Sequence, residues 1–356
     1  MQLIKETVGS IPNTAPEGIA QAVNQRWNSL TKPRGSLGRL EQSILRLAEI
    51  QGTAMPVMER RAMYVFCGDH GITAEGVSLY PSVVTREMAK NFLAGGAAIN
   101  VLCRQFNIEP LIVDAGVSGG NIAGTLDRRI GDGTRNFLRE PAMSKMEAIR
   151  AIENGIRLAH DAAARFDIAG VGEMGIGNSS AASALLCAFT GMSVEQAVGC
   201  GTGLDTAGLQ HKQTVLAAAL RRAGALESSD PLDIAAEFGG FEILTMAGFF
   251  LGAAGKHLPV VVDGFISGAA FLIAKALCPC IGNHVLFAHR SAEKGHAALL
   301  SASAVTPLLD LDMRLGEGTG AALAIGILSS ALALYREMAT FEQASVTGTE
   351  KEEQYS

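Results

Sequence analysis

The chain has 356 residues, 48% apolar and 18% charged, which excludes a disordered protein and allows a large core with a smaller appendage. A formal net charge of −6 without a basic run argues against nucleic acid or an anionic membrane as partner. The six scattered cysteines, with Cys278-Pro279-Cys280 not at zinc spacing, read as reduced thiols of a cytoplasmic protein that needs no disulfide staples.

The chain opens without the basic-then-apolar pattern of a leader. Ile19, Val23 and Trp27 share one face of a predicted helix over 15–30. The stretch from Lys32 to Gly38 breaks it, and Leu40, Ile44 and Leu47 place a second helix over 39–51. Both precede any strand, so residues 1–60 are expected to form a small helical domain with the other chain end, from about 332 to 356. Residues 61–331 form the expected large domain. Its strand candidates are 61–67, 111–115, 167–171, 259–262 and 285–288, with a weaker one at 309–313. Predicted helices cover 82–94, 97–106, 145–166, 179–191, 207–222, 242–255, 266–277 and 292–301, and Ser144-x-x-Glu147 is a capping box. Wholly apolar strands separated by helices indicate an α/β fold, a parallel sheet flanked by helices. In such sheets ligands sit at the carboxyl ends of the strands. The uncharged runs from Met174 to Val194 and from Gly318 to Tyr335 approach the length of a membrane span, but their Gly and Ser content suits buried core helices better.

Glycine-rich segments recur where strands end: Cys67 to Gly71, Gly170 to Gly177, Asp263-Gly264, and Met313-Arg314-Leu315-Gly316-Glu317-Gly318-Thr319-Gly320. The last surrounds one carboxylate, Glu317, with three glycines ahead of a predicted helix whose free N–H groups suit an anion. Gly170-Val171-Gly172-Glu173-Met174-Gly175 satisfies the dinucleotide pattern G-x-G-x-x-G, but it is not in the first βαβ unit and lacks the acidic residue at a strand end. Gly199-Cys200-Gly201-Thr202-Gly203 followed by Lys212 reads better as a cradle for a single phosphate. Gly116-Val117-Ser118-Gly119-Gly120 has the pattern of a nucleophile elbow without the helix that must follow one. Asp69-His70 is no metal-ligand set and suits structural hydrogen bonding. The residues together describe an enzyme for an anionic nucleotide-like molecule and a small apolar or aromatic partner, with Glu317 as general-base candidate. An NAD(P)-binding oxidoreductase, a serine hydrolase acting through Ser118 and a non-catalytic nucleotide-binding protein are the alternatives.

Five motifs then occur together, in the order and approximate spacing of one family: Lys32-Pro33-x-Gly35-Ser36-Leu37-Gly38-Arg39-Leu40-Glu41, Asp69-His70-Gly71, Gly172 to Asn178, Asp263-Gly264-Phe265 and Met313 to Gly318. The chain, from about residue 15 to 335, resembles the nicotinate-nucleotide:dimethylbenzimidazole phosphoribosyltransferases of cobalamin lower-ligand synthesis. The resemblance implies a homodimer with a Rossmann-like large domain and a small helical domain from both chain ends, acting without cofactor or metal. It implies transfer of the 5-phosphoribosyl group of nicotinate mononucleotide to 5,6-dimethylbenzimidazole with inversion at the anomeric carbon. Glu317 matches the catalytic base. Glu173, Met174, Gly175 and Ile176 would line the base pocket and offer backbone N–H groups to phosphate. Lys212, Ser291 and Gly316 would contact the phosphate, Gly264 would line the substrate site, and Leu315 would pack on the benzimidazole. Tyr80 and Met88 stand where serine and glutamine are familiar, which bears on base selectivity.

Overall fold

The structure, a computed structural model, describes residues 1–199, 201, 203–224 and 230–347. Six parallel strands form its main sheet: β1 (Arg61–Gly68), β2 (Glu109–Gly116), β3 (Leu126–Asp127), β4 (Ile168–Met174), β5 (Val260–Val262) and β6 (Val285–Phe287). Their spatial order is β3-β2-β1-β4-β5-β6, so the chain winds outward from β1 in one direction and from β4 in the other. Two further short strands, β7 (His289–Arg290) and β8 (Leu309–Asp310), pair beside the sheet. The sheet is therefore α/β and parallel, as the apolar runs predicted, and β1 and β4 are buried almost throughout because helices cover both faces.

One face is covered by Lys145–Arg165 and Phe241–Ala254. Every residue of the second helix is buried, and its backbone lies almost on that of the first. A Cβ at Gly155 or Gly248 would overlap the carbonyls of Thr245 or Ile152, so only glycine permits the crossing. Lys145–Arg165 starts at the predicted capping box, with Ser144 N–H donating to Glu147 Oε2 at 2.7 Å.

The other face is covered by Ala98–Gln105, Arg39–Gln51 and the long helix Thr319–Glu337. Thr319–Glu337 is long and apolar enough to cross a membrane, but its inner residues Ala321, Ile325 and Leu328 pack with Met63 and Val65 of β1. Its far end meets the N-terminal helices: Trp27 and Tyr335 have ring centroids 4.9 Å apart, and Arg26 Nε donates to the Tyr335 carbonyl at 2.9 Å. This one helix spans both the sheet contact and the contact with the first 60 residues.

The structure adds elements that the periodicity did not separate. Gln2–Ser10 and Pro231–Phe238 are helices, the second opened by Asp230 as N-cap with proline next to it. Strand β4 runs through Gly170 and Gly172, which are strand interior and not part of a turn.

Candidate active site

Segments that follow β1, β4, β5 and β6 on the carboxyl side of the sheet line a cavity of about 490 Å³. Its position straddles the β1/β4 switch point, where open α/β sheets bind ligands. Tyr80, Met88, Glu173, Met174, Gly175, Ile176, Gly264, Ser291, Leu315, Gly316 and Glu317 all line it. Tyr80 and Leu315 stand exposed at the mouth, whereas Glu317 and Glu173 are buried deeper. Lys212 lies behind the wall, only 1% exposed, with Nζ donating to Ser179 Oγ at 2.9 Å. Ser179 itself lines the cavity at the N-terminus of helix Asn178–Thr190.

Glu317 sits at φ +62°, between Gly316 at +81° and Gly318 at +92°. Three successive left-handed residues turn the chain sharply, and the non-glycine one carries a conformational cost of the order of 1–3 kcal/mol. Packing holds it there. The Glu317 backbone lies directly on Gly172 of β4, where any Cβ would overlap its carbonyl group. The carboxylate turns toward the N-terminus of Ala98–Gln105 and accepts the Ile99 N–H at 3.3 Å. Burial raises the Glu317 pKa above the ordinary carboxyl value, and the Ile99 N–H partly offsets this.

Three further acids, Glu173, Asp263 and Glu293, share the cavity. Burial, with Asp263 nearby, pushes Glu173 up to about 8, against a hydrogen bond from Asn178 that favours the charged form. Glu173 is thus mostly protonated at neutral pH. Asp263 is pushed up to about 7 by burial, while N–H groups of Ala321, Gly318 and Gly320 stabilise its charge. The Ala321 bond is 2.8 Å. His289 stands 3.9 Å from Asp263, and burial lowers its pKa, as it lowers that of His296 to about 3. His296 Nδ1 accepts the Ser291 N–H at 2.8 Å, which fixes the Ser291 loop.

Several expectations change in detail. The first N–H groups of Thr319–Glu337 do not face an empty anion site: the Asp263 carboxylate occupies them. The Ile176 N–H is likewise engaged, by Thr85 Oγ1 at 3.0 Å. The G-x-G-x-x-G glycines serve close packing: Gly170 faces Met63 and Ile325, Gly172 the Glu317 backbone, and Gly175 the Gly68 carbonyl. Of the proposed phosphate cradle, Cys200 and Thr202 lie outside the described residues, while Gly201 reaches the cavity wall. His70 Nε2 pairs with Glu242 Oε1 at 2.6 Å, both fully buried, and Asp69 Oδ2 accepts the Ser118 N–H at 2.8 Å. No helix follows Ser118, so the elbow geometry is absent.

Asp263, His289, Ser179, Glu293 and Arg314 also line the cavity, although the residue patterns assigned them no role. Asp263 and His289 each follow a short apolar strand within two residues, the one signal that could have marked them.

The arrangement can accept a proton at Glu317, place carboxylates beside developing positive charge, and hold an anion near Ser179 and Lys212. A phosphoribosyltransferase family model matches residues 13–346. The nicotinate-nucleotide–dimethylbenzimidazole phosphoribosyltransferase of Cupriavidus taiwanensis is 51% identical over 89% of this chain and 92% of its own length. The namesake from Geobacter sp. strain M21 is 46% identical over 98% of this chain and 100% of its own. The crystal structure of CobT from Thermus thermophilus superposes with a TM-score of 0.88 at 42% identity, covering 94% of this chain and all of that one. The chain therefore belongs to the family of nicotinate-nucleotide–dimethylbenzimidazole phosphoribosyltransferases.

Proposed function

We propose that this protein transfers the 5-phosphoribosyl group of nicotinate mononucleotide to 5,6-dimethylbenzimidazole, giving α-ribazole 5′-phosphate and nicotinate, with Glu317 as general base. Membership of the family supports the reaction. The observation that supports the base is a buried carboxylate with a raised pKa at the wall of a cavity of nucleotide size.

The chemistry asks little of the protein beyond position and charge. One benzimidazole nitrogen attacks the anomeric carbon from the α face as its bond to the pyridinium nitrogen breaks. The bonding pair goes to that nitrogen, which leaves as neutral pyridine. The other benzimidazole nitrogen loses its proton to Glu317, whose raised pKa makes it a stronger base than an exposed carboxylate. The ribosyl centre becomes oxocarbenium-like, and Asp263 and Glu317, which both line the cavity, would lower its energy in their charged forms. Lys212 through Ser179, with Ser291 and Gly316, would hold the 5′-phosphate. Leu315, Met88, Tyr80, Gly264 and the segment from Glu173 to Ile176 would enclose the bases.

We also propose the family's homodimer, a cytoplasmic location, and a small helical domain of residues 1–60 with 332–356 beside a large domain of 61–331. The Trp27–Tyr335 contact supports the pairing of the two chain ends. The test is incubation of the purified protein with nicotinate mononucleotide and dimethylbenzimidazole in the presence of a chelator. Chromatography should show a ribosylated benzimidazole and released nicotinate in equal amounts. Absence of both would refute the reaction.

A further inference from the structure

The substrate proposed above carries two separate anions, a 5′-phosphate and the carboxylate of the nicotinate ring, and the cavity presents them with few cations. Among the described residues, its wall holds the acids Glu173, Asp263, Glu293 and Glu317 but a single Lys or Arg, Arg314. The other nearby cation, Lys212, is buried behind the wall and committed to Ser179 at the N-terminus of helix Asn178–Thr190. That end, where a helix dipole adds to an ammonium, suits a phosphate.

Arg314 differs in every respect. It is exposed at the rim, and it donates no hydrogen bond within the described residues. Its place is fixed by the backbone: Ala292 N–H donates to the Met313 carbonyl at 2.9 Å, which clamps Arg314 beside the Ser291 loop and three residues from Glu317. Its electrostatic neighbour is Glu293, whose pKa is raised by burial and pulled down by Lys212 and Arg314. Glu293 therefore lies within the field of both cations, one buried behind the wall and the other exposed at its rim. A guanidinium with its donors free can take a carboxylate in a two-pronged contact that the amide of nicotinamide cannot match.

We infer that Arg314 recognises the carboxylate of the leaving nicotinate ring and so sets the preference for nicotinate over nicotinamide mononucleotide. This rests on the proposed reaction. A carboxylate held there also stays held as the ring loses its positive charge, so the contact favours binding more than turnover.

The test compares wild type with Arg314→Gln and Arg314→Lys. With dimethylbenzimidazole saturating, Arg314→Gln should lose roughly 10-fold in kcat/KM for nicotinate mononucleotide, mostly in KM, the size of a partly exposed charge-assisted contact. Its kcat/KM for nicotinamide mononucleotide should stay within about 2-fold, and Arg314→Lys should recover part of the loss. Calorimetry with free nicotinic acid should show weaker binding to Arg314→Gln than to wild type. Equal losses on both nucleotides would assign Arg314 to the phosphate and overturn the inference, as would no loss on either. Wild type that neither turns over nicotinate mononucleotide nor binds nicotinic acid would refute the proposed reaction itself, and this inference with it.

Discussion

Gly172→Ala separates the packing role of the glycine-rich strand from a nucleotide-binding role. The new Cβ would lie 2.5 Å from the Gly318 nitrogen and nearer still to the Glu317 carbonyl. Both are backbone atoms, so no side chain can swing aside and the Glu317 loop must move off β4. Overpacking of this kind costs about 1–3 kcal/mol of stability, a drop of a few degrees in Tm. The same movement displaces the Glu317 carboxylate by something of the order of 1 Å, which costs about 10²-fold in turnover, or about 2.7 kcal/mol of transition-state stabilisation. The assay is steady-state turnover beside a thermal melt. Gly9→Ala is the control, because its Cβ meets nothing within 4 Å. Gly172→Ala should fold, melt slightly lower and turn over about a hundredfold more slowly, while Gly9→Ala matches wild type. A folded Gly172→Ala with wild-type turnover would show that Gly172 does not seat the base.

Glu317→Gln keeps the shape and the acceptor for Ile99 but removes the base, so turnover should fall by about 10²–10⁴-fold with nicotinate mononucleotide affinity little changed; unimpaired turnover would remove Glu317 from the mechanism. Because burial raises its pKa, the rate should decline on acidification at a pH above the ordinary carboxyl value of 4.5, and a pH–rate profile flat through that range would contradict the assignment. Lys212→Ala should weaken nicotinate mononucleotide by about 1.5–3 kcal/mol in calorimetry, and unchanged affinity would move the phosphate elsewhere. Glu173, raised to about 8, holds a proton in the folded state that the unfolded chain has released by neutral pH, so stability should fall as pH rises. Between pH 7 and 8 Asp263, raised to about 7, adds a smaller fall in the same direction and the depressed histidines a smaller rise, so Tm should decline less in Glu173→Gln than in wild type; parallel curves would place the shift on another group.

The parallel sheet was legible because its strands are short apolar runs between amphipathic helices, and burial on both faces leaves that mark on any sequence. The two N-terminal helices were legible for the matching reason: Val23, Trp27, Ile44 and Leu47 fall at helical spacing because each helix buries one stripe. Gln2–Ser10 was not, since only Ile4 and Thr7 of its nine residues are buried and the stripe is too short to count.

Glycine patterns show that backbones approach closely without saying what approaches them. The motif beginning at Gly170 fitted a dinucleotide fingerprint in spacing, but its glycines admit Met63, the Glu317 loop and the end of β1. Many of the residues that gather at the cavity were nameable as site residues from order and motif, but Ser179, Asp263, His289, Glu293 and Arg314 were not, and neither was the protonation of any of them. Glu173 and Asp263 are ordinary acids in sequence, and only burial in one cavity, 90 residues apart along the chain, moves both toward neutrality. Likewise the N-terminus of Thr319–Glu337 is an anion site by local rule, and only the fold puts Asp263 there first. The sequence by itself determined the layered architecture and the set of residues at the strand ends, because both follow from local periodicity and from where strands stop. The tertiary structure decided which N–H groups are already taken, which acids keep their protons and where Glu317 points, because those depend on what lies across a few ångströms of space.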